Sequence, residues 1–117
     1  MNDDSTPRFL QGVFSLTGNG LDTASLLDPA LSYTVPPGSS AQPVYFRGGN
    51  SSDELIFLTL VRDGVPMRYF PIGAKAATHV SLRVVEDLLS DSVLEVFAAA
   101  PKGVVGTVIV DVGLIEI

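Results

Sequence analysis

The side chains that could carry out acid–base or nucleophilic chemistry are few in this chain and form no recognised motif. His79 is the only histidine, cysteine is absent, and no Gly-x-Ser-x-Gly sequence occurs. These features exclude thiolate nucleophiles, disulfides and zinc–sulfur sites. On a strand, His79 would share one face with Ser81 and Arg83. The sequence therefore favours a solvated or hydrogen-bonded histidine over a catalytic one.

The acidic residues also lack the spacing of a metal site. Asp53-Glu54 and Glu86-Asp87 are adjacent pairs, and neighbouring strand residues point to opposite faces. No EF-hand spacing occurs, and a single histidine cannot build a histidine-rich transition-metal site. We predict no cofactor and no metal. The alternative is a calcium ion held between loops by some of Asp22, Asp28, Asp53 and Asp91.

Charge and hydropathy restrict the possible partners. The net charge is −6 and the isoelectric point is near 4.4, which argues against a basic nucleic-acid-binding face. The first eight residues lack a basic segment followed by an apolar one, so they do not resemble a secretory signal. No apolar run is long enough to cross a bilayer. We therefore expect a cytoplasmic protein that binds neither nucleic acid nor membranes.

The low content of charged residues points to contacts with other protein chains. Only 17% of the 117 residues are charged, whereas about a quarter is usual. This favours a homo-oligomer or a subunit of a larger assembly, and the alternative is a monomer with a surface rich in serine, threonine and glycine. Among the charged residues, those in 43–83 are mostly basic and those in 84–117 are mostly acidic. These charges could pair between protomers or neutralise one another within one domain.

The segment from Glu54 to Ile72 predicts a β-hairpin. Asp63-Gly64 lies between two apolar runs, and this dipeptide is typical of a type I′ turn. A two-residue turn pairs Arg62 with Val65 and then Val61 with Pro66. The second pair is non-hydrogen-bonded, so the missing N–H of the proline costs nothing there.

Continuing this register predicts a candidate binding surface on the hairpin. It places Phe57 opposite Phe70 and Thr59 opposite Arg68 on one face. The other face, predicted to be the core, would hold Leu58, Leu60, Met67 and Tyr69. Arginine beside aromatic rings is a composition enriched at interface hot spots. The alternative is that Arg68 only covers the sheet with its aliphatic stem.

The rest of the chain predicts further short strands separated by turns. Residues 1–8 are expected to be a disordered tail and residues 9–117 a single domain. Strands are predicted at 9–16, 31–35, 44–47, 78–83, 93–99 and 104–117, and residues 48–52 as a plain polar loop. Residues 21–30 and 84–91 are compatible with short helices or irregular connections. This spacing predicts an all-β fold, an antiparallel β-sandwich of seven to nine strands, immunoglobulin-like or jelly-roll-like.

The C-terminal strand is unusually apolar on both faces. Between Val104 and Ile117 only Thr107, Asp111 and Glu116 interrupt the apolar residues. Such a strand would promote aggregation if it formed an unpaired edge of a sheet. It is therefore either an assembly element that uses Leu114, Ile115 and Ile117, or a strand covered within its own sheet.

These features favour a non-enzymatic structural or accessory subunit that acts through protein–protein contacts, by self-assembly or by docking to a larger partner. The alternative is a lectin-like module for carbohydrates or small ligands that would use Tyr33, Tyr45 and Tyr69; an enzyme is the third possibility. The predicted interface residues are Arg47, Phe57, Thr59, Arg62, Arg68, Phe70, Leu114, Ile115 and Ile117.

Overall fold

The computed structural model describes residues 5–82 and 87–117, and these residues form nine β-strands and no helix. The strands are β1 (Thr6–Thr17), β2 (Ser25–Leu26), β3 (Ser32–Thr34), β4 (Ala41–Asn50), β5 (Ile56–Arg62), β6 (Val65–Ile72), β7 (Ala77–Ser81), β8 (Val93–Ala99) and β9 (Val105–Glu116). Since no helix is present in these ranges, none of them provides a helical membrane span.

Two antiparallel sheets pack face to face. The first sheet has the order β1-β9-β4-β7, and the second has the order β2-β8-β5-β6, with β3 also paired to β8. Alternate side chains of both sheets point inward and form one core. Its largest fully buried members are Leu31, Phe46, Ile56, Leu58, Leu60, Ile72, Leu88, Leu94 and Leu114. The predicted antiparallel β-sandwich is confirmed.

The C-terminal strand β9 is an internal strand. It pairs with β1 along its whole length on one side and with β4 on the other. Of the two environments that the sequence allowed, the structure shows the covered one, because both edges of β9 are hydrogen-bonded within this chain. Gly113 lies opposite Tyr45, and an added Cβ would stand 2.1 Å from the tyrosine ring. Glycine is therefore required there for the ring to pack on the strand.

The hairpin forms with the predicted turn but changes register. Asp63 and Gly64 have φ values of 50° and 80°, as a type I′ turn requires. Arg62 pairs with Val65 and Val61 with Pro66 as predicted, but a register shift follows between Leu60 and Val61.

Beyond the register shift, the prediction of which β6 side chains face the core is therefore wrong. Phe70 lies opposite Leu58 and faces the core, where its ring stacks on Phe46 with centroids 3.9 Å apart. Tyr69 lies opposite Thr59 on the outer face instead. The buried stack of Phe46 on Phe70 explains this register, since the bulge is what turns Phe70 inward.

Three other segments differ from expectation. Strand β1 begins at Thr6, so residues 6–8 belong to the sheet rather than to a tail. Residues 21–30 contain turns and the short strand β2 but no helix. Of the ambiguous stretch 84–91, residues 84–86 lie outside the described residues, and Leu88 bridges to Ala41.

The predicted polar loop at residues 48–52 is partly strand and contains a buried polar network. Strand β4 continues to Asn50, whose side chain is buried. Its Nδ2 donates to the carbonyl oxygens of Glu54, Gly73 and Ile72 at 2.8, 3.0 and 3.3 Å. Its Oδ1 accepts from the backbone N–H and the hydroxyl of Ser52. Asn50 thus ties the end of β4 to both ends of the β5–β6 hairpin, across the two sheets.

Candidate functional site

The described residues do not bring together the side chains that a metal site would need. Within residues 5–82 and 87–117, no cluster of three or more histidine, aspartate or glutamate side chains could hold a metal ion. His79 is exposed on β7, with its ring edge-on to Tyr45 at 6.1 Å. The candidate binding surfaces are the two outer faces of the sandwich.

The outer face of the first sheet carries three rows of side chains that cross β1, β9, β4 and β7 in that order. The strand register aligns them directly. One row is Phe9, Gly113, Tyr45 and Ser81; the next is Gln11, Asp111, Arg47 and His79; the third is Val13, Ile109, Gly49 and Ala77. A polar row is thus flanked by a row that begins with an aromatic residue and by an apolar row.

The polar row is neutralised within the chain. Arg47 forms an ion pair with Asp111 at 4.0 Å, and its guanidinium lies 5.1 Å from the centre of the Tyr45 ring. Tyr45 donates its hydroxyl hydrogen to Asp111 at 2.9 Å. Burial, with the contribution of this hydrogen bond, raises the pKa of Tyr45. Arg47 from the basic middle and Asp111 from the acidic end thus pair within one domain.

Large apolar side chains stand exposed on the same face. Phe9 is 54% exposed, Val13 66% and Ile109 55%. Val13 and Ile109 are direct cross-strand partners, so they form one continuous apolar surface. We call Phe9, Val13 and Ile109 the apolar patch. Phe9 lies across the polar row from Val13 and Ile109, so the patch has two parts on one face. Exposed apolar surface of this kind on a small domain marks a contact surface more often than single scattered residues do.

The outer face of the second sheet contains a groove of about 510 Å3. Its floor includes Thr59 and Val61 of β5 and Ala99 of β8, all buried. Tyr69 of β6 and Phe97 of β8 rise on either side, because both pair directly with Thr59. The remaining lining residues are Leu21, Asp22, Ala24, Phe57, Gly64 and Pro66. The volume falls within the range of small-ligand sites.

The structure distributes the predicted interface residues over different environments. Arg47 and the half-buried Ile115 lie on the first outer face, and Phe57 and Thr59 line the groove on the opposite face. Arg62 and Arg68 are half-buried on the hairpin. Ile117 is exposed just after β9.

Two of the predicted residues, Phe70 and Leu114, are core residues. Their side chains pack inside the sandwich, so in this fold they stabilise the domain and are not presented to a partner. Arg68 also makes a local contact, since its guanidinium donates to the carbonyl oxygen of Met67 at 2.7 Å.

Sequence reasoning missed the residues that the register brings together. Val13 and Ile109 are far apart in the sequence and become neighbours only because β1 and β9 pair with each other. The sequence did contain one signal for exposed apolar residues. In both β1 and β9, apolar residues occur at odd and at even positions, and therefore on both faces of the strand. The partner strand of β1, however, is not encoded in any local pattern.

Comparisons with known proteins give a fold and no family. No protein-family model matches the chain, and no curated protein matches it. Among solved structures it resembles the CBM36-1 domain of a multidomain xylanase from the hindgut metagenome of Trinervitermes trinervoides, with a TM-score of 0.57 and 15% identity over 94% of this chain and 96% of that one. It also matches a subunit of the Bacillus endospore appendages, described as disulfide-linked pili, with a TM-score of 0.48 and 13% identity over 99% of this chain and 91% of that one.

Proposed function

We propose that this protein is a non-enzymatic structural or accessory subunit that associates with other protein chains through the outer face of its first sheet. The observation that supports this proposal is the apolar patch of Phe9, Val13 and Ile109, each more than half exposed. Burial of this surface supplies the driving force. The resemblances to solved structures show the fold, and this exposed surface supplies the support for the function.

The neighbouring polar row supplies orientation rather than affinity. Arg47 and Asp111 are already paired, so a partner does not have to neutralise either charge when it covers them. Tyrosine and arginine are enriched at protein interfaces relative to the rest of the surface. Exposed ion pairs themselves add little to stability. The apolar patch therefore contributes most of the binding free energy.

A matched pair of substitutions tests the proposal. Val13 and Val65 are both valines on edge strands, 66% and 62% exposed, but they lie on different sheets. We expect light scattering over a dilution series to show wild-type oligomers that dissociate on dilution. Val13→Glu should shift the protein to monomer, because it places a charge in the apolar patch, and Val65→Glu should behave like wild type.

Two results would count against this function. One is a wild-type protein that stays monomeric up to millimolar concentration. The other is an equal loss of association in both valine variants, which would mean that added charge, and not the location of the patch, controls the mass. Circular dichroism of both variants checks that they remain folded.

The groove favours a second candidate, a lectin-like module for carbohydrates or small ligands. Tyr69 is 67% exposed at its rim, and Asp22 and Thr59 place polar groups beside the aromatic walls. Isothermal titration calorimetry with soluble xylan and cellulose oligosaccharides tests this second function. Binding that Tyr69→Ala abolishes would support this function, and the absence of any heat with either sugar would count against carbohydrate binding.

A further inference from the structure

The free edge of β1 is the longest sheet edge that the described residues expose. β1 has twelve residues, pairs with β9 on one side, and has no strand on its other side within residues 5–82 and 87–117. The other edge strands are shorter: β7 has five residues, β2 has two and β3 has three. The remaining one, β6, has eight residues, but its ladder shifts register and its sequence contains Pro66 and Pro71.

β1 lacks the devices that normally protect an edge. Its ladder with β9 runs from Thr6 to Thr17 without a register shift. Its one charged residue, Arg8, is held in an ion pair with Glu116 of the neighbouring strand. Its one proline, Pro7, lies near the beginning of the strand. Natural edges usually carry charges, prolines or bulges that prevent pairing with another chain.

The first residue pair beyond the strand shows which β1 residues hydrogen-bond to β9 and which point their backbone groups to the free edge. Gly18 donates its N–H to the carbonyl oxygen of Val104 at 2.7 Å, and this pair continues the register of β1 with β9. Hydrogen-bonded pairs alternate along an antiparallel ladder. Even-numbered residues therefore bond to β9, and the N–H and C=O groups of Phe9, Gln11 and Val13 point to the free edge. Pro7, which has no N–H, lies at the same parity.

We propose that β1 pairs antiparallel with β1 of a second copy of this chain, about a twofold axis at Gln11. This inference rests on the proposed function and names its partner. A twofold interface brings the same patch of both copies together. Centring it on Gln11 places Phe9 opposite Val13 of the second copy, and this apolar pair occurs twice. Registers shifted by two residues place Phe9 opposite Gln11 or Ser15. Shifts of four residues pair Phe9 with Phe9, or Val13 with Val13, of the second copy, and each gives one such apolar pair instead of two.

The same register makes the outer faces of the two sheets continuous. Gln11 meets Gln11 of the second copy, so the neutralised polar rows join end to end. The row of Ile109 and Val13 continues into Phe9 of the second copy, which extends the apolar surface across both sandwiches. About eight backbone hydrogen bonds form between the copies, because Pro7 can accept but not donate.

The absence of native cysteine allows a direct test by single-cysteine crosslinking of the full chain. At the twofold axis the two Cα atoms are about 5.5 Å apart, which suits a disulfide. We expect Gln11→Cys to form a covalent dimer rapidly under mild oxidation by oxidised glutathione. Ser15→Cys, on the same face of the same strand, is the matched control. It should not crosslink, because the two positions are about 27 Å apart in this register.

The outcomes separate this inference from the proposed function when wild-type mass is measured in parallel. An oligomer with selective crosslinking at Gln11 supports both. An oligomer in which Gln11→Cys fails to crosslink, or crosslinks no faster than Ser15→Cys, overturns the pairing of β1 and leaves the proposed function standing. A monomer with no crosslinking at either position overturns both.

Discussion

Replacing Asn50 with aspartate removes the donors of the buried polar network while almost preserving side-chain shape. The Nδ2 group donates to three carbonyl oxygens, of Glu54, Ile72 and Gly73. In Asn50→Asp these oxygens would face a carboxylate oxygen. Both bonds to Ser52 would persist, because Oδ1 accepts them. The change therefore isolates the donor half of the network.

The size of the effect follows from burial. The carbonyl oxygen of Glu54 still accepts from the Ser52 hydroxyl, and that of Gly73 still accepts from the N–H of Ala76. The lost contact with the carbonyl oxygen of Ile72, which is buried, therefore counts most. A buried polar group that loses its partner costs about 1–3 kcal/mol, and a buried charged group such as the new carboxylate costs more. We expect the free energy of unfolding to fall by about 4 kcal/mol. With a urea dependence of about 2 kcal/mol per molar for a small domain, the midpoint falls by about 2 M.

Urea unfolding followed by circular dichroism measures this change. Asn19→Asp is the matched control, because it adds the same charge at an exposed loop position, and its midpoint should remain close to that of wild type. Burial beside carbonyl oxygens would raise the folded-state pKa of the new carboxyl group. Its destabilising effect should therefore be largest at neutral pH and shrink as the pH falls. Equal midpoints for the two variants at neutral pH would refute the reasoning.

Two further regions give predictions. Gly113→Ala should lower the free energy of unfolding by about 1–3 kcal/mol, because its Cβ would overlap the Tyr45 ring; thermal unfolding measures it, and an unchanged midpoint would contradict the packing. Tyr33→Phe should cost about 1–2 kcal/mol, because Tyr33 donates its hydroxyl hydrogen to Glu116, and a urea midpoint equal to that of wild type would contradict it. The hydrogen bond from Arg8, then that from Tyr33, lowers the pKa of Glu116. The resulting stabilisation is present above the unfolded pKa and is lost as pH falls through the folded one, so Glu116→Gln should flatten the acid limb of the stability–pH curve.

The sequence predicts the turn of the central hairpin because the signal is local. Asp63 and Gly64 adopt the positive φ values that the dipeptide favours, and the first two cross-strand pairs follow from the turn. The facing of β6 cannot be predicted in this way. Apolar residues occupy both parities of its sequence, so the alternation rule does not choose a side. The choice depends on the stack of Phe70 on Phe46, which is a contact between sheets.

The candidate surface was not predictable for a related reason. Apolar residues on both faces of β9 were compatible with cover on both faces or on an edge, and the structure covers its two edges while Ile109 stays exposed. The strand order of the sheet decides which strand lies beside β9. Here it is β1, and their pairing brings Val13 beside Ile109. Asn50 was missed because a glycine- and serine-rich segment is typical of loops, and only the folded chain supplies its partners.

Amide hydrogen exchange of the wild-type protein by NMR, at a dilute and a concentrated condition, tests association through β1 most directly. Even-numbered amides of β1, such as Leu10 and Gly12, bond to β9 and should exchange slowly at both concentrations. The amides of Phe9, Gln11 and Val13 should exchange rapidly when dilute and slowly when concentrated, because a second chain then covers them. Rapid exchange of these three amides at both concentrations would contradict assembly through this edge.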